Sequence, residues 1–141
     1  MPQHETAGAV HVRIHDDADV AAARAGARSL ASREGLPETA VEALATAVSE
    51  VARNIVVHAG DGEVVLARLA EPARRGVVVS ARDTGPGIAD VEQALQDGYS
   101  TKGGLGCGLS GARRLVDEFE ITSEAGGGTT VVLRKFVTVE R

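Results

Sequence analysis

Two carboxylates, one side-chain amide and a glycine-dense run carry the reactive chemistry of this chain. Glu50 and Asn54 are four residues apart, a spacing that stacks side chains on one flank of a helix. The amide oxygen of Asn54 suits a hard cation such as Mg²⁺, which keeps waters and takes its other ligands from phosphates. Glu50, one turn earlier, is spaced to take a proton from a hydroxyl attacking a phosphoryl group. The same pair also fits an ordinary solvated helix face. Asp83 opens the run Asp83-Thr84-Gly85-Pro86-Gly87, directly after the apolar stretch Val77-Val78-Val79-Ser80-Ala81. A carboxylate at a strand end can accept from an exocyclic amine, and glycines at 85 and 87 let a flat ring approach the backbone. A plain β-turn is the competing reading of those residues.

Further on, Lys102-Gly103-Gly104-Leu105-Gly106-Cys107-Gly108 leads into a patterned helix. Glycines at 103, 104, 106 and 108 clear side chains from the backbone, so that N–H groups can ring a polyphosphate, and the following helix offers its positive end to the same anion. Lys102 adds a point charge suited to a terminal phosphate. The spacing is not that of a P-loop, and the run reads as a mobile nucleotide lid rather than a linker. Gly126-Gly127-Gly128-Thr129-Thr130 precedes the final apolar run, and a threonine hydroxyl there can reach a base edge or a bridging water. Ordinary hairpins use the same residues.

These groups need elements to position them. Residues 1–9 are polar and expected to be flexible, and His11–His15 alternates like a strand. Asp16, Asp17 and Asp19 supply N-cap candidates for an Ala-rich helix to about Glu34, closed by Gly35. Pro37 then opens a helix over roughly 37–59, in which Val41, Leu44, Val48, Val51, Ala52 and Ile55 make an apolar face. Thr46, Glu50, Asn54 and His58 climb its other flank. A strand over about 63–70, a turn from Pro72 to Gly76, and a strand over Val77–Ala81 buried on both faces are expected next. A short helix near Asp90–Gln96 and an amphipathic helix over Leu109–Phe119 follow, with Arg113, Arg114, Asp117 and Glu118 on its solvated face. Strands at Glu120–Ser123 and Thr129–Val139 close the pattern as a hairpin. The whole reads as one domain over 10–141, an α/β two-layer sandwich with a mixed, mostly antiparallel sheet covered by helices on one face.

The bulk composition narrows the class. The 141 residues are 43% hydrophobic but 2% aromatic, so the core must be built from Val, Leu, Ile and Ala. A net charge of -5 gives no electrostatic case for nucleic-acid binding. No apolar run reaches the roughly 20 residues that span a bilayer, so no membrane partner is expected. The single cysteine, Cys107, fits a reducing, cytoplasmic compartment. His4, His11 and His15 have no cysteine partners at zinc-ligand spacing. His58, near a helix C-terminus, needs no catalytic explanation. Arg53 is spaced either to pair with Glu50 or to face water.

The order of the segments says more than any one of them. A helix with E…N, a strand with DxGxG, a GG-x-G-x-G run into a helix, and GTT into a strand resemble the N, G1, G2 and terminal Gly-Thr boxes of the GHKL (HATPase_c, Bergerat-fold) ATPase and kinase superfamily. Within it, "SEVARNIVVHAGDGEV", "DTGPGIADVEQALQDGYSTKGGLGCGLSGARRLVDEFEITS" and "AGGGTT" resemble the RsbT-like switch kinases, with similarity from about Val10 to Phe136. The resemblance implies an ATP- and Mg²⁺-dependent serine/threonine kinase of STAS-domain stressosome and antagonist proteins, which when released activates a PP2C-type phosphatase. It implies Glu50 as general base, Asn54 as Mg²⁺ ligand and Asp83 as acceptor for the adenine amine. Gly85 and Gly87 would shape the base pocket, Gly103, Gly104, Gly106 and Gly108 would form the phosphate lid, and Thr129 would complete the adenine side. Lys102 and Leu105 fall within the lid. Lys102 and His58 depart from the family pattern, which more often has a small polar residue and an aromatic at those places. The alternative within the superfamily is an anti-sigma factor with serine kinase activity that sequesters a sigma factor. A detached histidine-kinase domain is disfavoured, since no heptad-patterned helix pair is present to carry a phosphoacceptor histidine.

Overall fold

The computed structural model describes residues 8–88, 91, 95 and 108–139. Five strands, β1 (Val10–Ile14), β2 (Gly62–Ala70), β3 (Arg74–Asp83), β4 (Glu118–Glu124) and β5 (Gly128–Thr138), form one sheet in the order β1-β2-β3-β5-β4. All four pairings are antiparallel. Helices α1 (Asp17–Arg33), α2 (Glu38–His58) and α3 (Gly108–Leu115) complete the described elements. Among the described residues, no helix is long and apolar enough to cross a membrane.

Local chemistry sets the helix limits. Asp16 caps α1 by accepting from the Asp19 amide, and the Asp19 carboxylate answers by accepting from the Asp16 amide, a closed capping box. Pro37 stands just ahead of α2, where its missing N–H is no loss. The apolar face expected for α2 is the buried one: Val41, Leu44, Val48, Val51, Ala52 and Ile55 all lie in the core.

Strand register explains how that face meets the sheet. The side chains on the helix-facing side form rows across the strands. One row is Val10, Leu66, Val79, Leu133 and Phe119; the next is Val12, Val64, Ala81, Val131 and Ile121. Leu66, Val79, Leu133 and Val64 are fully buried in these rows, with Ala81 and Val131 nearly so. The last row, at the end of the sheet, is Ile14, Gly62, Asp83, Thr129 and Ser123. The apolar pattern therefore turns polar at that one edge of the core.

Three expectations are corrected. Gly76 is not in a turn: β3 starts at Arg74, and Gly76 sits inside it opposite Leu69 and Phe136. A Cβ there would run into the Lys135 carbonyl, so the glycine marks a close approach of β5 rather than a reversal. β3 is buried on one face only, since Val78 and Ser80 remain half-exposed on the side without helices. Finally, α3 stops at Leu115, and Phe119 belongs to β4. Its apolar spacing from Leu115 mimics a helix turn, yet it pairs with Leu133. Asp117 and Glu118 accordingly leave the helix face: Asp117 accepts from the Phe136 amide at 2.9 Å, and Glu118 accepts from Arg74 at 2.7 Å. The expected helix near 90–96 and the glycine-dense run up to Cys107 lie outside the described residues, apart from Val91 and Leu95.

Candidate nucleotide and phosphoryl-transfer site

Asp83 is the last residue of β3 and is only 8% exposed. Its carboxylate accepts from the Gly85 amide at 2.9 Å, so the run is a tight Asx-type turn as well as a candidate site. That turn is wedged between two elements. On one side Gly85 lies on the C-terminal end of α2, where an added Cβ would come within 2.6 Å of the Ala59 Cβ. On the other, Gly87 has φ +78 and faces the Glu124 carbonyl so closely that no side chain fits. Gly126 donates its amide to the Pro86 carbonyl, which ties the loop to the β4–β5 turn. The turn reading is the one the geometry displays: the glycines make the turn, and the turn holds a buried carboxylate at the polar end of the core.

Thr129 is the cross-strand partner of Asp83 and is 6% exposed. Directly opposed residues have Cβ atoms about 5 Å apart, so the carboxylate and the hydroxyl share one small volume. Gly128, with φ +85, lies against the Asp83 carbonyl and admits no Cβ. The terminal Gly-Thr segment and the Asp83 turn therefore meet, as expected.

The helix side arrives through Gly62. This residue pairs with Asp83, and a Cβ on it would stand 2.8 Å from Ile55 Cγ2 and 3.2 Å from Asp83 Cβ. Asn54 precedes Ile55 on α2, and Glu50 lies one turn back, about 6 Å along the axis. Both are half-buried. Glu50 is met by Arg53, whose Nη1 stands 3.4 Å from its Oε2; the Glu50 side chain is 16% exposed and that of Arg53 42%. The pairing alternative for Arg53 is the one the fold adopts. The helix α3 packs on α2 with Leu109, Ser110 and Ala112 buried. Gly108 heads that helix with φ +45. Lys102, Gly103, Gly104, Leu105 and Gly106 lie outside the described residues.

Two residues escaped the sequence reading. Gly62, just ahead of the strand expected over 63–70, is the gap through which Ile55 approaches Asp83. Ser123 continues the inward alternation of Phe119 and Ile121, and a polar residue in that phase of a strand was the available signal. Its Oγ accepts from the Ile88 amide at 2.7 Å, donates to the Gly128 carbonyl at 3.0 Å and lies 2.9 Å from Thr129 Oγ1.

The donor set fits a magnesium nucleotide. A buried carboxylate beside a hydroxyl can take a base amine, and a glutamate and an asparagine on the adjoining helix match a hydroxyl nucleophile and a hydrated hard cation. Comparison with known proteins gives the family. Residues 14–135 match the histidine kinase-like ATPase domain family. The chain is 41% identical over 126 residues to the serine/threonine-protein kinase RsbT of Bacillus subtilis (strain 168), covering 89% of this chain and 95% of that protein. It is 36% identical over 101 residues to an anti-sigma F factor of Geobacillus sp. (strain WCH70), covering 66% of this chain and 67% of the relative. The anti-sigma F factor of Halalkalibacterium halodurans is 37% identical over 98 residues, again with 67% of the relative covered. With a family match over residues 14–135 and 41% identity across 95% of a serine/threonine-protein kinase, the chain belongs to the histidine kinase-like ATPase family and, within it, to the RsbT-like serine/threonine-protein kinases.

Proposed function

We propose that this protein transfers the γ-phosphoryl group of Mg-ATP to a serine or threonine of a STAS-domain partner, and that once released from that partner it activates a PP2C-type phosphatase, in a cytoplasmic partner-switching pathway. The observation that carries the reading is the convergence of Asp83, Thr129 and the C-terminal half of α2 at one end of the sheet, together with similarity spanning nearly the full length of a serine/threonine-protein kinase. The bound nucleotide supplies the phosphoryl group and its metal; the chain supplies position and charge. Asp83 accepts from the base amine, with Thr129 beside it. Asn54 offers its amide oxygen to the metal. Glu50 takes the proton of the attacking hydroxyl, and Arg53 holds its carboxylate on the α2 flank. By the resemblance to the family's glycine-rich box, the phosphates are assigned to Gly103, Gly104, Gly106 and Gly108, with Lys102.

The test is transfer of labelled phosphate from Mg-ATP to STAS proteins encoded near this chain, with Glu50→Ala in parallel. Transfer by the wild type and its loss in the variant supports the reading; no transfer to any STAS partner overturns the substrate class. The anti-sigma F relatives favour a second reading, in which the same pocket serves a protein that sequesters a sigma factor. They match over two-thirds of their length, against 95% for RsbT, which ranks this reading second. Recovery of a sigma subunit, without STAS proteins, from a pull-down would reverse that order.

A further inference from the structure

Ser123 has no part in the scheme above, yet its hydroxyl joins three pieces of the site. A serine hydroxyl carries one hydrogen and two lone pairs. The Ile88 amide at 2.7 Å can only donate to it, and the Gly128 carbonyl at 3.0 Å can only accept from it. The one hydrogen of Ser123 is thus committed to Gly128. The contact with Thr129 Oγ1 at 2.9 Å then requires the hydrogen of Thr129. Thr129 is left facing the site with lone pairs alone, and its cross-strand partner Asp83 is a carboxylate, also an acceptor.

We propose that Ser123 is a positioning residue that fixes Thr129 as an acceptor, so that the base edge of the pocket accepts hydrogen bonds only and selects a 6-aminopurine over a 6-oxopurine nucleotide. The proposal rests on the reading of Asp83 and Thr129 as the base edge. A 6-amino group brings two N–H donors to two acceptors. A 6-oxo group brings an oxygen against both, and neither contact carries a hydrogen. Without Ser123, the Thr129 hydroxyl can turn its hydrogen toward that oxygen. The loop carrying Gly87 stays docked through Gly126 and the Pro86 carbonyl, so the pocket outline does not depend on Ser123 alone.

Calorimetric titration of the full chain with Mg-ATP and with Mg-ITP tests this, using wild type, Ser123→Ala, Ser123→Thr and Asp83→Asn. Ser123→Ala should lower the ATP:ITP affinity ratio about tenfold, the scale of one buried hydrogen bond made or left unmade. Ser123→Thr, which keeps a hydroxyl, should restore the wild-type ratio. A merely structural serine would weaken both nucleotides alike. An unchanged ratio in Ser123→Ala, with Asp83→Asn shifting it, overturns the role of Ser123 alone. A ratio unmoved by Asp83→Asn overturns the base-edge reading and the proposal with it. Should Ser123→Ala lose the circular dichroism of the wild type, Ser123→Val, which also lacks a donor, is read in its place by the same criteria.

Discussion

Two charged groups at opposite ends of β3, Arg74 and Asp83, are treated in opposite ways. Around Arg74 the charges close on one another: its guanidinium reaches Glu71 at 2.7 Å and Glu118 at 2.7 Å, and Arg134 reaches Glu120 at 2.7 Å. The Arg74 guanidinium also lies 4.4 Å from the centre of the Phe136 ring. Hydrogen bonds to Glu71, then to Glu118, hold Arg74 above its ordinary pKa. At the other end Asp83 is met, among the described residues, by the Gly85 amide rather than by a cation, and it is more deeply buried than any member of the Arg74 cluster. A carboxylate has room for about four hydrogen bonds. The first end is a finished structural network; the second keeps acceptor capacity for something else. A buried polar group with spare acceptor capacity among the described residues is a better pointer to function than a dense cluster of ion pairs.

That contrast can be broken by substitution. Glu50→Ala should reduce phosphoryl transfer at least about 100-fold, the scale of one positioned base, while nucleotide affinity measured by calorimetry stays close to wild type. Transfer at wild-type rate would remove Glu50 from the chemistry. Gly128→Ala should cost about 2 kcal/mol or more in denaturant unfolding, because the new Cβ meets the Asp83 carbonyl at a φ that favours glycine. A neutral result there would show that the end holding Asp83 is looser than its packing implies. Asp83→Asn should weaken ATP binding about tenfold, since its amide can point a donor at the base amine, and should change melting temperature less than Gly128→Ala does.

The smallest effect belongs to the exposed ion pairs. Hydrogen bonds from Arg28 lower the pKa of Glu42, and hydrogen bonds from Arg74 lower that of Glu71. A carboxylate whose folded pKa is depressed adds stability that is present above its unfolded value and lost as pH falls through the folded one. Melting temperature should therefore drop between about pH 5 and about pH 3, by less in Arg28→Gln, and by less again in about 1 M salt. An acid response unaltered by either change would mean these pairs do not contribute.

Much of this was legible from residue order. The α2 face, the Asp16 cap and the Asp83 turn follow from short-range rules, periodicity and capping, that act within a few residues. What escaped was set by neighbours distant in sequence. Gly76 reads as punctuation until β5 is laid against it, 60 residues later at Phe136. Phe119 fits a helical period until Leu133 claims it across the sheet. Ser123 is an unremarkable serine until its register places it beside Thr129. In each case a non-local contact overruled, or gave meaning to, a local pattern that was ambiguous by itself.

The strand order has a consequence for synthesis. β5 is the last of the five strands in the chain, yet it lies between β3 and β4. A growing polypeptide therefore holds β3 with one hydrogen-bonding edge unpaired until residues 128–138 have been made, and an open edge of that kind invites pairing with other chains. A premature stop before Gly128 should yield an aggregating fragment, not a weaker enzyme, and chaperone demand should peak just ahead of that point.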